Sequence, residues 1–310
     1  MPPPPSAFAD ALVLTGPTGT GKSALALDLA EQIGAEIVSA DSMTVYRGLD
    51  IGTAKPTPAD RARVRHHLLD ELDPGASANV AWWLGRAAEA CADIRGRGFV
   101  PLVVGGTPLY LKAMLYGLFD APPADAAVRA GLEAEALAAG PPALHARLAE
   151  VDPPTAARLH PNDVRRVVRA LEVFVATGRP ISAWQESWAG TPADIPLVVV
   201  DLPRPELYAR IDARVDAMLA AGWAAEAERL FARPHPPGRE AGQALGYREL
   251  AAVGRGDLPL ADARRLIQTG TRQFAKRQLT FLRALPNTTW VGPGPDLAGR
   301  VRAGWMRPGG

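Results

Sequence analysis

Residues Ala11-Leu12-Val13-Leu14-Thr15-Gly16-Pro17-Thr18-Gly19-Thr20-Gly21-Lys22-Ser23 decide how this chain is read. The five-residue apolar run has the length of a buried strand. The next eight residues fit the pattern GxxxxGK[ST]. Residues 24–33 then place Leu25, Leu29 and Ile33 at helical spacing. A glycine-rich loop between a strand and a helix turns backbone N–H groups toward an anion, and the helix N-terminus adds partial positive charge. Gly16, Pro17, Thr18, Gly19, Thr20, Gly21, Lys22 and Ser23 are therefore the expected diphosphate or nucleotide cradle, with Lys22 as a point charge and the Ser23 hydroxyl as a Mg²⁺ ligand.

Three further strands follow from short apolar runs. Residues 36–40 lead into Asp41-Ser42, residues 100–104 into Gly105-Gly106-Thr107, and residues 197–200 into Asp201. Ligands of open α/β sheets sit beyond the carboxyl ends of the strands, so Asp41 and Thr107 are expected at the same crevice as the cradle. A carboxylate there can accept a proton or bind Mg²⁺. A helix-capping aspartate and a plain Gly-Gly turn are the bland alternatives. The 100–104 strand ends without the acidic residue that phosphoryl-transfer enzymes use for Mg²⁺. Asp201 keeps a small-molecule kinase open as a second class.

Composition narrows the setting. The 310 residues carry 34 Lys+Arg against 33 Asp+Glu, a formal net charge of +1. A single cysteine, Cys91, excludes an internal disulfide and a cysteine-cluster zinc site. No apolar run reaches the ~18 residues of a membrane span, and the N-terminus lacks the features of a signal peptide. A soluble cytoplasmic monomer is expected. Only four basic residues are lysines, Lys22, Lys55, Lys112 and Lys276, which marks them as positions where arginine does not serve.

Near-neutrality of the whole hides two local excesses. Residues 261–285 hold Arg264, Arg265, Arg272, Lys276, Arg277 and Arg283 against Asp262, a net +5. Residues 155–180 hold Arg158, Arg165, Arg166, Arg169 and Arg179 against Asp163 and Glu172, a net +3. Either alone reads as a solvated helix face; two beside a phosphate cradle point to a polyanion. Proline and glycine punctuation at Pro122-Pro123, Gly140-Pro141-Pro142 and residues 190–196 sets off a helical region. The expected fold class is α/β: a P-loop NTPase-like parallel sheet flanked by helices (1–119 and 196–291), an all-helical insertion domain (120–195), and a loosely ordered glycine- and proline-rich tail (292–310).

Taken in order, these motifs resemble the bacterial tRNA dimethylallyltransferase (tRNA isopentenyltransferase) family. Besides residues 16–23, the resemblance rests on Asp41-Ser42-Met43-Thr44-Val45-Tyr46-Arg47-Gly48 and Asp50-Ile51-Gly52-Thr53-Ala54-Lys55-Pro56. It continues through His66-His67-Leu68, Val104-Gly105-Gly106-Thr107, His160-Pro161-Asn162-Asp163, Ala244-Leu245-Gly246-Tyr247 and residues 271–279. It implies transfer of a dimethylallyl group from dimethylallyl diphosphate to the exocyclic amine of the adenine 3′ of the anticodon, with Mg²⁺ as cofactor and the tRNA anticodon stem-loop as partner. Diphosphate is then a leaving group, so no phosphoryl-transfer aspartate is needed.

The resemblance assigns catalysis to Asp41 as general base, Thr107 and Lys22. It assigns tRNA contact to Asp41, Ser42, Met43, Thr44 and Thr107, to Arg129, to Arg165, Arg166, Val167, Val168 and Arg169, and to Arg272, Gln273, Lys276, Arg277 and Gln278. Two departures stand out: Thr44 occupies a position where glutamine is frequent, and Pro108 replaces a glycine after Thr107. His66-His67 is read as two helix residues pointing apart, not a metal site, and the seven tryptophans as packing residues. A non-catalytic RNA-binding protein with a vestigial phosphate loop is the third class.

Overall fold

The computed structural model describes residues 3–118, 125–185 and 191–306. Pro122-Pro123, Trp188 and the last four residues lie outside the described residues. Six strands form one sheet: β1 (Leu12–Thr15), β2 (Ala35–Ser39), β3 (His66–His67), β4 (Val100–Val104), β5 (Leu197–Val200) and β6 (Thr288–Val291). Their order is β3-β2-β4-β1-β5-β6, and every ladder is parallel. The register pairs Leu14 with Val104 and Val104 with Ser39. The three segments that follow β1, β2 and β4 therefore leave the sheet at one level, where an open parallel sheet places its ligand.

Helices α1 (Lys22–Ile33), α2 (Pro58–Arg63), α3 (Val80–Gly96) and α4 (Pro108–Tyr116) alternate with these strands. On one face Leu14, Ile37, Leu102 and Val198 pack with Ala26 and Leu29 of α1. Strands buried on both sides read as unbroken apolar runs, as β4 and β5 do.

The chain divides into two compact units, residues 116–191 and the remainder, with the insertion beginning and ending four residues before the expected 120 and 195. Within the insertion, α5 (Ala126–Ala139), α6 (Pro141–Val151), α7 (Pro153–Arg158), α8 (Val164–Thr177) and α9 (Ile181–Gln185) enclose Leu132, Leu144, Leu148, Val167, Val168 and Leu171. Asp125, Asp152 and Asp163 cap α5, α7 and α8 by accepting backbone N–H groups. The larger unit continues with α10 (Arg204–Ala220), α11 (Trp223–Phe231), α12 (Tyr247–Gly254) and α13 (Leu260–Arg283).

Three expectations change. His66 and His67 form a strand rather than a helix turn; His67 meets Glu36 at 2.7 Å and His66 meets the Val64 carbonyl at 2.8 Å. The tail holds α14 (Leu297–Trp305), capped by Asp296. Leu297, Val301 and Trp305 recur every four residues and join the sheet core, and Trp305 Nε1 donates to the Val13 carbonyl at 3.0 Å. That apolar stripe outweighs the local glycine and proline content. In residues 261–285 the spacing of Leu266, Ile267, Phe274, Leu279 and Leu282 suits one apolar helix face, but Leu266 is half exposed on α13. Among the described residues no helix is long and apolar enough to cross a membrane.

Candidate active site

The cradle folds as its composition requires. Gly16, Gly19 and Gly21 take positive φ, and a Cβ on Gly16 would lie 2.3 Å from the Val200 carbonyl. The Thr20 hydroxyl closes the loop on the Pro17 carbonyl at 3.0 Å. Lys22 Nζ rests 3.4 Å from the same carbonyl, a long contact that leaves the ammonium for an incoming anion. Burial lowers the Lys22 pKa to about 8; the Arg214 guanidinium pushes the same way and Asp41 pushes back. Burial likewise holds Arg214 below the usual guanidinium range, opposed by Asp41.

Arg214 is the site cation that no motif announced. It sits on α10 one turn past Ile211, and its Nη1 donates to the Thr18 hydroxyl at 3.2 Å. Its signal was the spacing of Leu207, Ile211 and Val215, which turns that side of α10 toward the core. In a chain with thirty arginines one more carried no weight.

Asp41 follows β2 and caps no helix. Its Oδ1 accepts the Met43 N–H at 2.8 Å, and among the described residues its second oxygen has no hydrogen-bond partner. Thr107 Oγ1 accepts the Ser42 N–H at 3.1 Å, so its own proton remains to donate. One backbone turn thus couples the two side chains that sequence reasoning placed at the crevice. Pro108 opens α4, where a proline's missing N–H costs nothing.

Two adjoining cavities of about 310 and 340 Å³ meet here, sharing Thr18, Asp41, Thr53, Arg214, Phe274 and Gln278. Lys22 and Ser23 line the first; Ser42, Met43 and Thr107 line the second. Asp201 lines neither: its carboxylate accepts the Leu202 N–H at 2.8 Å. The kinase alternative therefore loses its candidate metal ligand. Among the described residues no three metal-binding side chains cluster. Ser23, exposed at the start of α1, and Asp41 line one cavity; a hydroxyl and one carboxylate suit Mg²⁺, which takes its other ligands from phosphate and water.

Several expected RNA contacts have other tasks. Gln278 is buried, accepting the Thr18 N–H at 2.9 Å and donating to the Gly106 carbonyl at 2.8 Å. It braces the cradle rather than facing solvent. A Cβ on Gly106 would lie 2.6 Å from that amide. Thr44 is buried, with its hydroxyl between Ser39 Oγ and the Asp41 carbonyl. Val167 and Val168 both point into the insertion core, because the apolar stripe of α8 is broad enough to take in two consecutive residues. Arg129 and Arg169 both bind buried Glu172, at 2.7 and 2.8 Å. On α13, Arg272 pairs with Asp212, and Arg264 with Asp216, both on α10. The +5 along the chain is therefore partly cancelled in space. Gln273, Lys276 and Arg277 are exposed, and among the described residues no carboxylate pairs with Lys276 or Arg277. Arg165 and Arg166 are exposed on α8, Arg166 being 3.3 Å from Asp163. Lys55, flagged by lysine scarcity, is buried and donates to Asp50 at 2.7 Å, to Asp70 and to the Tyr46 carbonyl.

The IPP transferase family profile matches residues 44–285, and an isopentenyl transferase profile matches residues 9–74. The chain belongs to the IPP transferase family. A tRNA dimethylallyltransferase of Geobacter sulfurreducens is 47% identical over 282 residues, covering 90% of this chain and 91% of the relative. One from Anaeromyxobacter dehalogenans is 48% identical over 294 residues, covering 94% and 98%. Among solved structures, the tRNA isopentenylpyrophosphate transferase of Bacillus halodurans superposes with a TM-score of 0.68 at 36% identity, covering 95% of this chain and 98% of that one. A eukaryotic dimethylallyltransferase acting on tRNA gives a TM-score of 0.72 at 28% identity, covering 88% and 69%. Three residues at or beside the cavities, Trp223, Glu226 and Phe274, were not picked out as site residues from the sequence. Trp223 and Phe274 line the second cavity. Buried Glu226 accepts backbone N–H groups from Asp50, Ile51 and Gly52.

Proposed function

We propose that this chain transfers a dimethylallyl group from dimethylallyl diphosphate to the exocyclic amine of the adenine immediately 3′ of the anticodon, giving N6-dimethylallyladenosine and diphosphate. Family membership supports the reaction. The observation that carries its mechanism is the position of Asp41, whose carboxylate lies where the cation-lined cavity meets the one bearing Thr107.

In this reading the diphosphate rests on the loop of residues 16–23, with Lys22 and Arg214 stabilising the charge that builds on it as it leaves. Ser23 would hold Mg²⁺, which would supply further charge neutralisation to the diphosphate. The adenine leaves the anticodon-loop stack to reach the second cavity. The Thr107 hydroxyl, tied to the turn at Ser42, orients the amine or the diphosphate bridge. The free oxygen of Asp41 takes the amine proton as the N6–C1 bond forms and the C1–O bond breaks, the electron pair departing with diphosphate. Exposed Lys276 and Arg277 on α13 and Arg165 and Arg166 on α8 contact the RNA backbone. In the same reading the chain acts on tRNA as a soluble cytoplasmic monomer.

The test is direct. Protein incubated with dimethylallyl diphosphate, Mg²⁺ and an anticodon stem-loop bearing adenine 3′ of the anticodon is expected to yield prenylated adenosine by mass spectrometry. Folded protein that gives no product refutes the proposal.

A further inference from the structure

The residues lining the second cavity differ in exposure. Gln243, Leu245 and Arg277 are exposed. Ile211, Val215 and Trp223 are at most 3% exposed. A nucleobase carried on an RNA loop approaches past the exposed residues. The donor's hydrocarbon tail, whose diphosphate rests in the cation-lined cavity, is matched by the buried apolar lining.

Trp223 is the least yielding part of that lining. A Cβ on Gly52 would lie 2.1 Å from its Nε1, and a Cβ on Gly246 would lie 2.4 Å from its Cη2. The backbone thus grips the Nε1–Cη2 edge of the indole. Tyr247 packs edge-on with ring centroids 5.7 Å apart. Glu226, one turn along the same helix, binds the backbone of Asp50, Ile51 and Gly52 at 2.9–3.1 Å and accepts the Tyr247 hydroxyl at 2.6 Å. The ring is buried and held by these contacts. A wall so fixed cannot retreat to admit a longer ligand.

We propose that Trp223 sets the length of the prenyl donor, with Met218 beside it on α10 as the second limit, so that five-carbon tails fit and ten-carbon tails do not. This rests on the transferase reading above. A pocket wall discriminates by roughly 10–200-fold per excluded methylene, and a geranyl tail adds five carbons. The bonds formed and broken are the same for either donor; only the tail differs.

The experiment compares dimethylallyl and geranyl diphosphate as donors to the same stem-loop, with wild type, Trp223→Phe and Met218→Ala. Wild type is expected to use the five-carbon donor and to reject geranyl by at least about 100-fold in kcat/KM. Each variant is expected to raise the geranyl-to-dimethylallyl ratio about tenfold or more. Met218 is only partly buried, so its variant keeps the test open if Trp223→Phe misfolds. An unchanged ratio in an active Met218→Ala protein, or a changed stem-loop KM with no change in donor ratio, overturns the proposal. Wild type inactive with both donors refutes the transferase reading instead.

Discussion

Gln278 and Thr18, 260 positions apart, are joined by a 2.9 Å hydrogen bond from the loop N–H to the side-chain carbonyl. The same amide donates to Gly106 at 2.8 Å, so one buried side chain spaces the phosphate loop from the turn that carries Thr107. Replacing Gln278 by Ala leaves the buried Gly106 carbonyl without this partner, at about 1–3 kcal/mol, and frees the half-buried Thr18 N–H at a smaller cost. The expected outcome is a lower urea midpoint together with a donor KM raised about tenfold. A variant with reduced stability but unchanged donor KM shows that the brace does not position the loop.

Glu226 presents a different balance. Its carboxylate collects three backbone N–H groups and the Tyr247 hydroxyl, all within 3.1 Å. Glu226→Gln turns an NH₂ group toward donors, which costs about 2–4 kcal/mol including unsatisfied groups. Tyr247→Phe costs less, about 1–2 kcal/mol, since only one bond is lost. A double-mutant cycle by denaturant unfolding is expected to show coupling above about 0.5 kcal/mol. Additive effects show that the pair does not act as a unit.

How much of this was legible in the chain is best seen residue by residue. The cradle, Asp41 and Thr107 were readable because each stands next to an apolar run whose end fixes its place at the sheet edge. Arg214, Trp223 and Glu226 were not, because their roles depend on helices folding back across the sheet edge from more than 150 positions away. β3 was hidden by its length of two residues, and α14 by the glycines and prolines around it. The basic stretch at 261–285 misled for the opposite reason. Charge counted along one helix takes no account of Asp212 and Asp216 on its neighbour.

That cancellation separates two classes of α13 cation. Lys276 and Arg277 face solvent without a carboxylate partner among the described residues, whereas Arg264 and Arg272 are held by aspartates. Each phosphate contact contributes roughly one unit to the slope of log affinity against log salt. Lys276→Ala and Arg277→Ala are each expected to reduce the slope for stem-loop binding by about one. Arg264→Ala is expected to leave it nearly unchanged. Equal slopes for all three variants show that the spatial pairing does not matter to RNA binding.

Lys22 gives the site a pH signature. Its pKa of about 8 in the folded chain lies below the ordinary lysine value of 10.5. Below pH 8 both folded and unfolded chains hold the proton, and the cost of burying the cation is carried in full. Between pH 8 and 10.5 the unfolded chain binds more protons, so this group's contribution to stability improves as pH rises. Donor binding runs the other way, because the neutral amine no longer attracts diphosphate. A downward break near pH 8 is expected in kcat/KM for the donor, which reports the free enzyme. Lys22→Met is expected to abolish the break and to stabilise the ligand-free fold by about 1–3 kcal/mol. A break that persists in that variant belongs to another group.

Asp41 couples to that titration. Its negative charge raises the Lys22 pKa against burial and Arg214. Asp41→Asn keeps an oxygen to accept the Met43 N–H, so the turn retains its shape. Two consequences should appear together. Loss of the base lowers kcat by about 10²–10⁴-fold, read in single-turnover assays with donor and stem-loop saturating. Loss of the charge moves the donor-binding break of Lys22 below pH 8, read by titrating the donor without RNA. A fall in kcat with the break unmoved places Asp41 too far from Lys22 to feel its proton. A moved break with kcat intact means that the amine proton leaves by a route other than this carboxylate.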